Sequence, residues 1–147
     1  MISVCKERDI SPYLEQLKEQ GLKVTPKRRA VIDLFLREGK CLGPHEIHTL
    51  LKKKSLSAGL PTVYRILDEL SGIGILTRIE KESRQFYYAL CRAPEGDHHH
   101  FICRKCKKVE EVEYCNFKEV AEFISKKLRG KVESHFIRIE GLCAQCR

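Results

Sequence analysis

Apolar positions recur at helical spacing through the first half of the chain. Leu14 and Leu17 share a face in a segment opened by Pro12 and ended by Gly21, which predicts a helix over residues 11–20. Thr25 can cap a second helix and Pro26 can fill its first turn. Its inward set is Ala30, Val31, Leu34 and Phe35, and Gly39 closes it. A third helix starts near Gly43 and Pro44, turns Ile47, Leu50 and Leu51 inward, and ends on Lys52, Lys53 and Lys54, cations suited to a helix C-terminus. Pro61 opens a fourth, in which Val63, Ile66, Leu67 and Leu70 make one apolar stripe. Tyr64, Arg65 and Asp68 fall on its opposite face. Gly72 and Gly74 end it.

The period then changes. Residues 75–80 and 85–90 predict two strands, with Lys81, Glu82, Ser83 and Arg84 as the hairpin loop. Three or four helices followed by a hairpin is the order of a winged helix-turn-helix, with the third and fourth helices as its central pair. Residues 91–97, polar and containing Pro and Gly, predict a hinge. Beyond it come short strands at Phe101 and Ile102 and over residues 109–113. A helix is expected over residues 116–129, with Phe117, Val120, Ala121, Ile124 and Leu128 on one face. Asn116 and Glu119 stand at capping-box spacing, and Gly130 stops the helix. A last strand is expected over residues 132–140. The chain therefore divides into a winged-helix domain over 1–90, the hinge over 91–97 and a small α/β domain over 98–147. A second domain of about 50 residues has a thin core and needs a staple.

Charge and cysteine content add to this. The formal net charge is +8 across 147 residues, an excess that favours an anionic partner, either nucleic acid or a membrane surface. No apolar run is long enough to span a bilayer, and residues 1–10 carry no secretory h-region. A cytoplasmic protein with no membrane partner is expected. Disulfides are rare there, so eight cysteines point to metal or redox chemistry.

Cys103-x-x-Cys106 and Cys143-x-x-Cys146 are two knuckles offering four soft thiolates, the tetrahedral set that zinc takes. Such a site has no open coordination position, so it is structural. Redox CxxC pairs are the other reading, but no thioredoxin-like βαβ context surrounds them. Asp97, His98, His99 and His100 form a second cluster. On a strand His98 and His100 share one face, and Asp97 and His99 the other.

The runs LPTVYRILDEL, HHHFICRKCKKVEEV and GLCAQCR, in that order, closely resemble the ferric uptake regulator (Fur) family over nearly the whole chain. The resemblance implies an N-terminal winged-helix DNA-binding domain, a C-terminal α/β dimerisation domain with the four-cysteine zinc, and a regulatory metal site at the hinge. The positions matching the hinge site are Cys41, Cys91, His98 and His100, with Glu111 as an alternate. Iron- and manganese-responding members place histidine and carboxylate at the first two of these. Thiolates there favour zinc, and Cys91 is similar to the zinc uptake regulator (Zur) branch. A third family site would map to Asp97, His99, Lys118 and His135, but Lys118 stands where a carboxylate is expected, and a protonated lysine binds no metal. Cys5 and Cys115 match no ligand position.

The implied function is a metal-dependent repressor, zinc-sensing and controlling metal-uptake genes, acting as a homodimer on double-stranded operator DNA. One zinc per chain would be structural and one regulatory, with iron or manganese as alternatives at the second. Tyr64 and Arg65 are placed to read base edges and Thr62 to reach a phosphate. Lys27, Arg28, Lys52, Lys53 and Lys54 are backbone-contact candidates, and Arg78 or Arg84 of the wing could enter a minor groove. The competing readings are an iron-, manganese- or peroxide-responsive regulator of the same family and, more distantly, a zinc or thiol enzyme. No catalytic set or small-molecule substrate is expected.

Overall fold

The computed structural model describes residues 9–80, 84–91, 99–112, 115–133, 135 and 137–147. The fold is α+β and forms two compact units, residues 1–94 and 95–147. No helix among the described residues is long and apolar enough to cross a membrane.

The first unit holds α1 (Ser11–Glu19), α2 (Pro26–Glu38), α3 (Pro44–Lys53) and α4 (Leu60–Gly72), then an antiparallel hairpin of β1 (Leu76–Glu80) and β2 (Phe86–Leu90). This is a winged helix. Each of the four helices has a proline in its first turn, where the missing N–H costs nothing. Thr25 Oγ1 accepts from the Arg28 N–H at 3.3 Å and caps α2 as the sequence predicts. Gly39 closes the helix at φ 60°, a left-handed turn that glycine takes without strain.

The core holds Leu17, Val31, Phe35, Ile47, Leu51, Val63, Leu67, Leu70 and Tyr88. The α4 stripe is buried as expected. Around α2 burial is wider than the predicted set, for Ile32 and Leu36 are also inside. The helix packs against both α3 and β2, so more than one of its faces is covered. Ile75 is not in the strand. Its N–H closes the end of α4 on the Leu70 carbonyl at 3.0 Å, and β1 begins one residue later.

Arg28 links α2 to α4. Its Nε and Nη2 donate to Glu69 Oε2 at 3.0 and 2.8 Å, and Nη1 donates to the Lys23 carbonyl at 2.8 Å. The two side chains are only 15% and 25% exposed. Its guanidinium therefore ties α2 to α4. Glu69→Gln should lower the stability of this unit by about 2 kcal/mol, because a largely desolvated charged hydrogen bond is weakened. Urea unfolding followed by helical circular dichroism checks this, and an unchanged midpoint would show that the pair is incidental.

The second unit is a three-stranded sheet, ordered β4-β3-β5, with one helix. β3 (His99–Cys103) pairs antiparallel with β4 (Val109–Val112) and parallel with β5 (Arg138–Gly141). β3 starts two residues earlier than predicted. β5 is shorter than the expected 132–140 strand. Its ladder to β3 spans four pairs, and ahead of it His135 is drawn aside by Cys115 and Phe117.

The expected 116–129 helix is α5 (Phe117–Phe123) followed by a wider π-helical turn, Ile124–Leu128. Arg129, at φ 53°, takes the left-handed position and the Gly130 N–H returns to the Ile124 carbonyl at 3.4 Å. The predicted capping box is absent. Asn116 makes no side-chain cap, and its amide donates instead to Glu119 Oε2 at 2.8 Å. The apolar face of this helix is exposed in the single chain: Val120 is 52%, Phe123 60% and Leu128 70% exposed.

Candidate metal centres and nucleic-acid face

The knuckles are brought together by the parallel pairing of β3 and β5. Cys103 ends β3 and lies in register with Gly141, so the chain leaves β5 straight into Cys143. A Cβ at position 141 would stand 3.1 Å from the Phe101 ring, so glycine lets that ring close over the strand. Each knuckle is a tight turn. The Lys107 N–H returns to the Cys103 carbonyl at 2.9 Å, and the Cys146 N–H to that of Cys143 at 2.9 Å.

The sulfurs of Cys103, Cys106, Cys143 and Cys146 lie within 4.8 Å of one another. The Cys106 and Cys143 sulfurs are 3.7 Å apart. The Cys143 N–H points at Cys103 Sγ from 3.4 Å. Backbone N–H groups of Cys106 and then Cys143 hold the Cys103 thiol down to about 6. Cys146 is pushed the other way, to about 12, by hydrogen bonding with the Cys143 side chain and then by burial. Four thiols this close share their protons. A dication resolves the conflict by replacing those protons, and an all-sulfur set of this size fits zinc.

A second cluster lies in the same unit. His99, Cys115 and His135 offer one ligand atom each, all within 4.8 Å of one another. Cys115 Sγ is 3.3 Å from His135 Nε2. The His99 and His135 rings meet edge to face at 5.2 Å, and Phe117 stacks on His135 at 4.0 Å. Two of these residues come from the expected third site. Cys115 was missed, because nothing in the sequence says that the turn before α5 folds back onto β3. Lys118 is exposed on α5. Asp97 and His98 lie outside the described residues, as does Cys5.

The residues expected for the hinge set fall in both units. Cys41 and Cys91 are both buried in the first unit. Cys41 directly precedes Leu42, which exchanges backbone hydrogen bonds with Tyr88 at 2.9 Å in an antiparallel bridge, and Cys91 follows Tyr88 on the same side of that bridge. The Cys91 N–H is bonded to the Ile75 carbonyl at 2.9 Å. In the second unit His100 and Glu111 are directly opposite across β3 and β4, and opposed residues of an antiparallel pair share a face.

On α4, Tyr64 and Arg65 are exposed and Thr62 is half-buried near the helix start. Lys27, Lys52 and Lys53 are exposed. Lys54 is held by Asp33 at 3.0 Å. In the wing, Arg78 lies 4.6 Å over the Phe86 ring and Arg84 is exposed beside the loop.

Residues 19–140 match the model of the ferric uptake regulator family. The chain is 30% identical over 142 residues to the ferric uptake regulation protein of Bacillus subtilis (strain 168), covering 95% of each. Among solved structures it is similar to the Helicobacter pylori ferric uptake regulator Fur, described as having three functional metal binding sites. That likeness has a TM-score of 0.64 and 26% identity, and covers 93% of this chain and 90% of that one. A zinc uptake regulator complexed with zinc and DNA shares the fold with a TM-score of 0.74. Identity there is 24%, over 98% of this chain and 95% of that one.

Proposed function

The chain belongs to the ferric uptake regulator family, and from that premise we propose that it is a zinc-responsive repressor of metal-uptake genes, acting as a homodimer on operator DNA. Family members are transcription regulators rather than enzymes, and metal-responsive regulation is the activity of this chain. The zinc reading rests on one observation: the hinge ligands of the first unit are two buried thiols, Cys41 and Cys91. Thiolates with imidazole favour zinc over iron(II) or manganese(II). The completed set adds His98 and His100, with Glu111 as alternate.

The mechanism follows from how this set divides. Cys41 and Cys91 belong to the winged-helix unit, and His100 and Glu111 to the other. A ligand set spread over both couples metal occupancy to the spacing of two recognition helices in a dimer. Half-sites about one DNA turn apart demand that spacing. The coupling is reciprocal, so operator DNA should tighten hinge-metal binding. The exposed apolar face of α5 supports pairing with a second copy, since Val120, Phe123 and Leu128 are uncovered in the single chain. α4 would enter the major groove, with Tyr64 and Arg65 at base edges and Thr62, Lys27, Lys52 and Lys53 at phosphates.

The test uses duplexes selected from a random pool by the zinc-loaded protein. Zinc beyond the equivalent held by the four cysteines should tighten binding at least tenfold, and Cys91→Ser should abolish that gain. Arg65→Ala should cost about 1–3 kcal/mol and relax the preference at one base pair. Equal tightening by iron(II) or manganese(II), retained in Cys91→Ser, would instead support the second reading within the family. The His100–Glu111 pair, a nitrogen and an oxygen ligand across one strand pair, is the feature that favours it.

A further inference from the structure

We propose that Cys115 is a metal ligand of this chain, joining His99 and His135 of the expected third site within the second unit and filling the anionic place that Lys118 leaves open, so that the set suits zinc. The four-cysteine centre and the hinge set use none of these three residues.

Three observations carry the site. First, His99 is 7% exposed and its Nε2 is buried with no hydrogen-bond partner among the described residues. An imidazole nitrogen removed from water without a partner is costly, and a metal ion satisfies it. Second, Cys115 Sγ and His135 Nε2 are 3.3 Å apart. A tetrahedral zinc with usual bond lengths separates a sulfur and a nitrogen ligand by about 3.6 Å, so the pair is already at chelating distance. Third, the His135 ring is fixed in orientation by Phe117, stacked on it at 4.0 Å with planes 12° apart. A ring held in this way has less freedom to lose when it binds.

The chemistry then selects the ion. Two imidazoles and a thiolate are a borderline-soft set, suited to zinc and poorly suited to manganese or magnesium. Binding releases the Cys115 thiol proton to solvent and forms a sulfur–zinc bond, with no change of oxidation state. Three protein ligands leave a fourth tetrahedral position for water or a further side chain. Lys118, exposed on α5, supplies no ligand, so the thiol takes the anionic place in the set. The site ties β3, the turn before α5 and the segment before β5 together, and it lies within a unit that buries little else.

The experiment uses the full chain, reduced, with zinc in the four-cysteine centre and Cys91→Ser present to disable the hinge. Cobalt(II) is added and followed by its visible and near-ultraviolet absorption. One further equivalent should bind with a thiolate-to-cobalt charge-transfer band. Cys115→Ser should remove that band and weaken binding at least tenfold, and His135→Gln should weaken binding to a similar degree. Retained four-cysteine zinc and unchanged far-ultraviolet circular dichroism show that each variant is folded. If Cys115→Ser fails that check, Cys115→Ala and His135→Gln carry the comparison. Cobalt binding with the same affinity and the same band in Cys115→Ser, or no binding beyond the four-cysteine centre, overturns the proposal. Either result is independent of the zinc response at the hinge, because Cys91→Ser is present throughout.

Discussion

Cys143→Ser is expected to release the metal of the four-cysteine centre and unfold the second unit while the first stays folded. The reason is the smallness of the second core. Among its described residues only His99, Ile102, Cys103 and Cys143 are buried, and two of those belong to the four-cysteine centre. Structural zinc contributes an apparent 10–16 kcal/mol, roughly, in small zinc domains. Nothing in this sheet and helix replaces a term of that size. Native mass spectrometry for bound zinc, with hydrogen exchange on peptides from the two units, reads the result. Retained zinc with continued protection of residues 99–112 would sink the idea that this centre holds the unit together.

Phe35→Ala should do the converse. Phe35 is fully enclosed in the core that the α4 stripe also joins, and its removal should cost about 3–5 kcal/mol. That is a large part of the roughly 5–15 kcal/mol that holds a domain folded. The recognition helix has its whole apolar stripe on this core, so DNA binding should fall with stability. Zinc in the four-cysteine centre should stay bound. A urea midpoint within about 1 kcal/mol of the parent would mean that the cavity collapses at little cost. Loss of zinc along with the fold would show that the units do not stand apart.

Local chemistry made the first unit legible in the sequence. Thr25, Pro26 and Gly39 mark the ends of α2 with their own side chains or lack of one. The α4 stripe needs only a 3.6-residue period. The knuckles were equally plain, because two residues between cysteines is itself the geometry of the turn. What stayed hidden depended on contacts far along the chain. Arg28 meets Glu69 across 41 positions, and a basic residue on a helix looks the same whether it faces solvent or a carboxylate. Cys115 and His135 are 20 positions apart, and their meeting depends on how the chain enters and leaves α5. Family correspondence pointed at Lys118 for that place and passed over the thiol nearby. The last strand was overestimated for a related reason: the β-branched and aromatic residues within 132–140 fit a strand, but the ladder to β3 spans only four pairs.

The parallel register of β3 and β5 also sets an order of events during synthesis. Cys143 follows Cys103 by 40 positions. At ribosomal rates of about 5–20 residues per second, the first knuckle is made roughly 2–8 s before the second exists. No four-sulfur cage can close in that interval, and a nascent two-thiol turn holds metal weakly and is open to oxidation. The winged helix, already complete, can fold meanwhile from its own core. Maturation of this protein therefore runs in one direction, with the DNA-facing half finished first and the metal-stapled half waiting for its last strand. A cell short of zinc at that moment would accumulate chains folded in front and open behind.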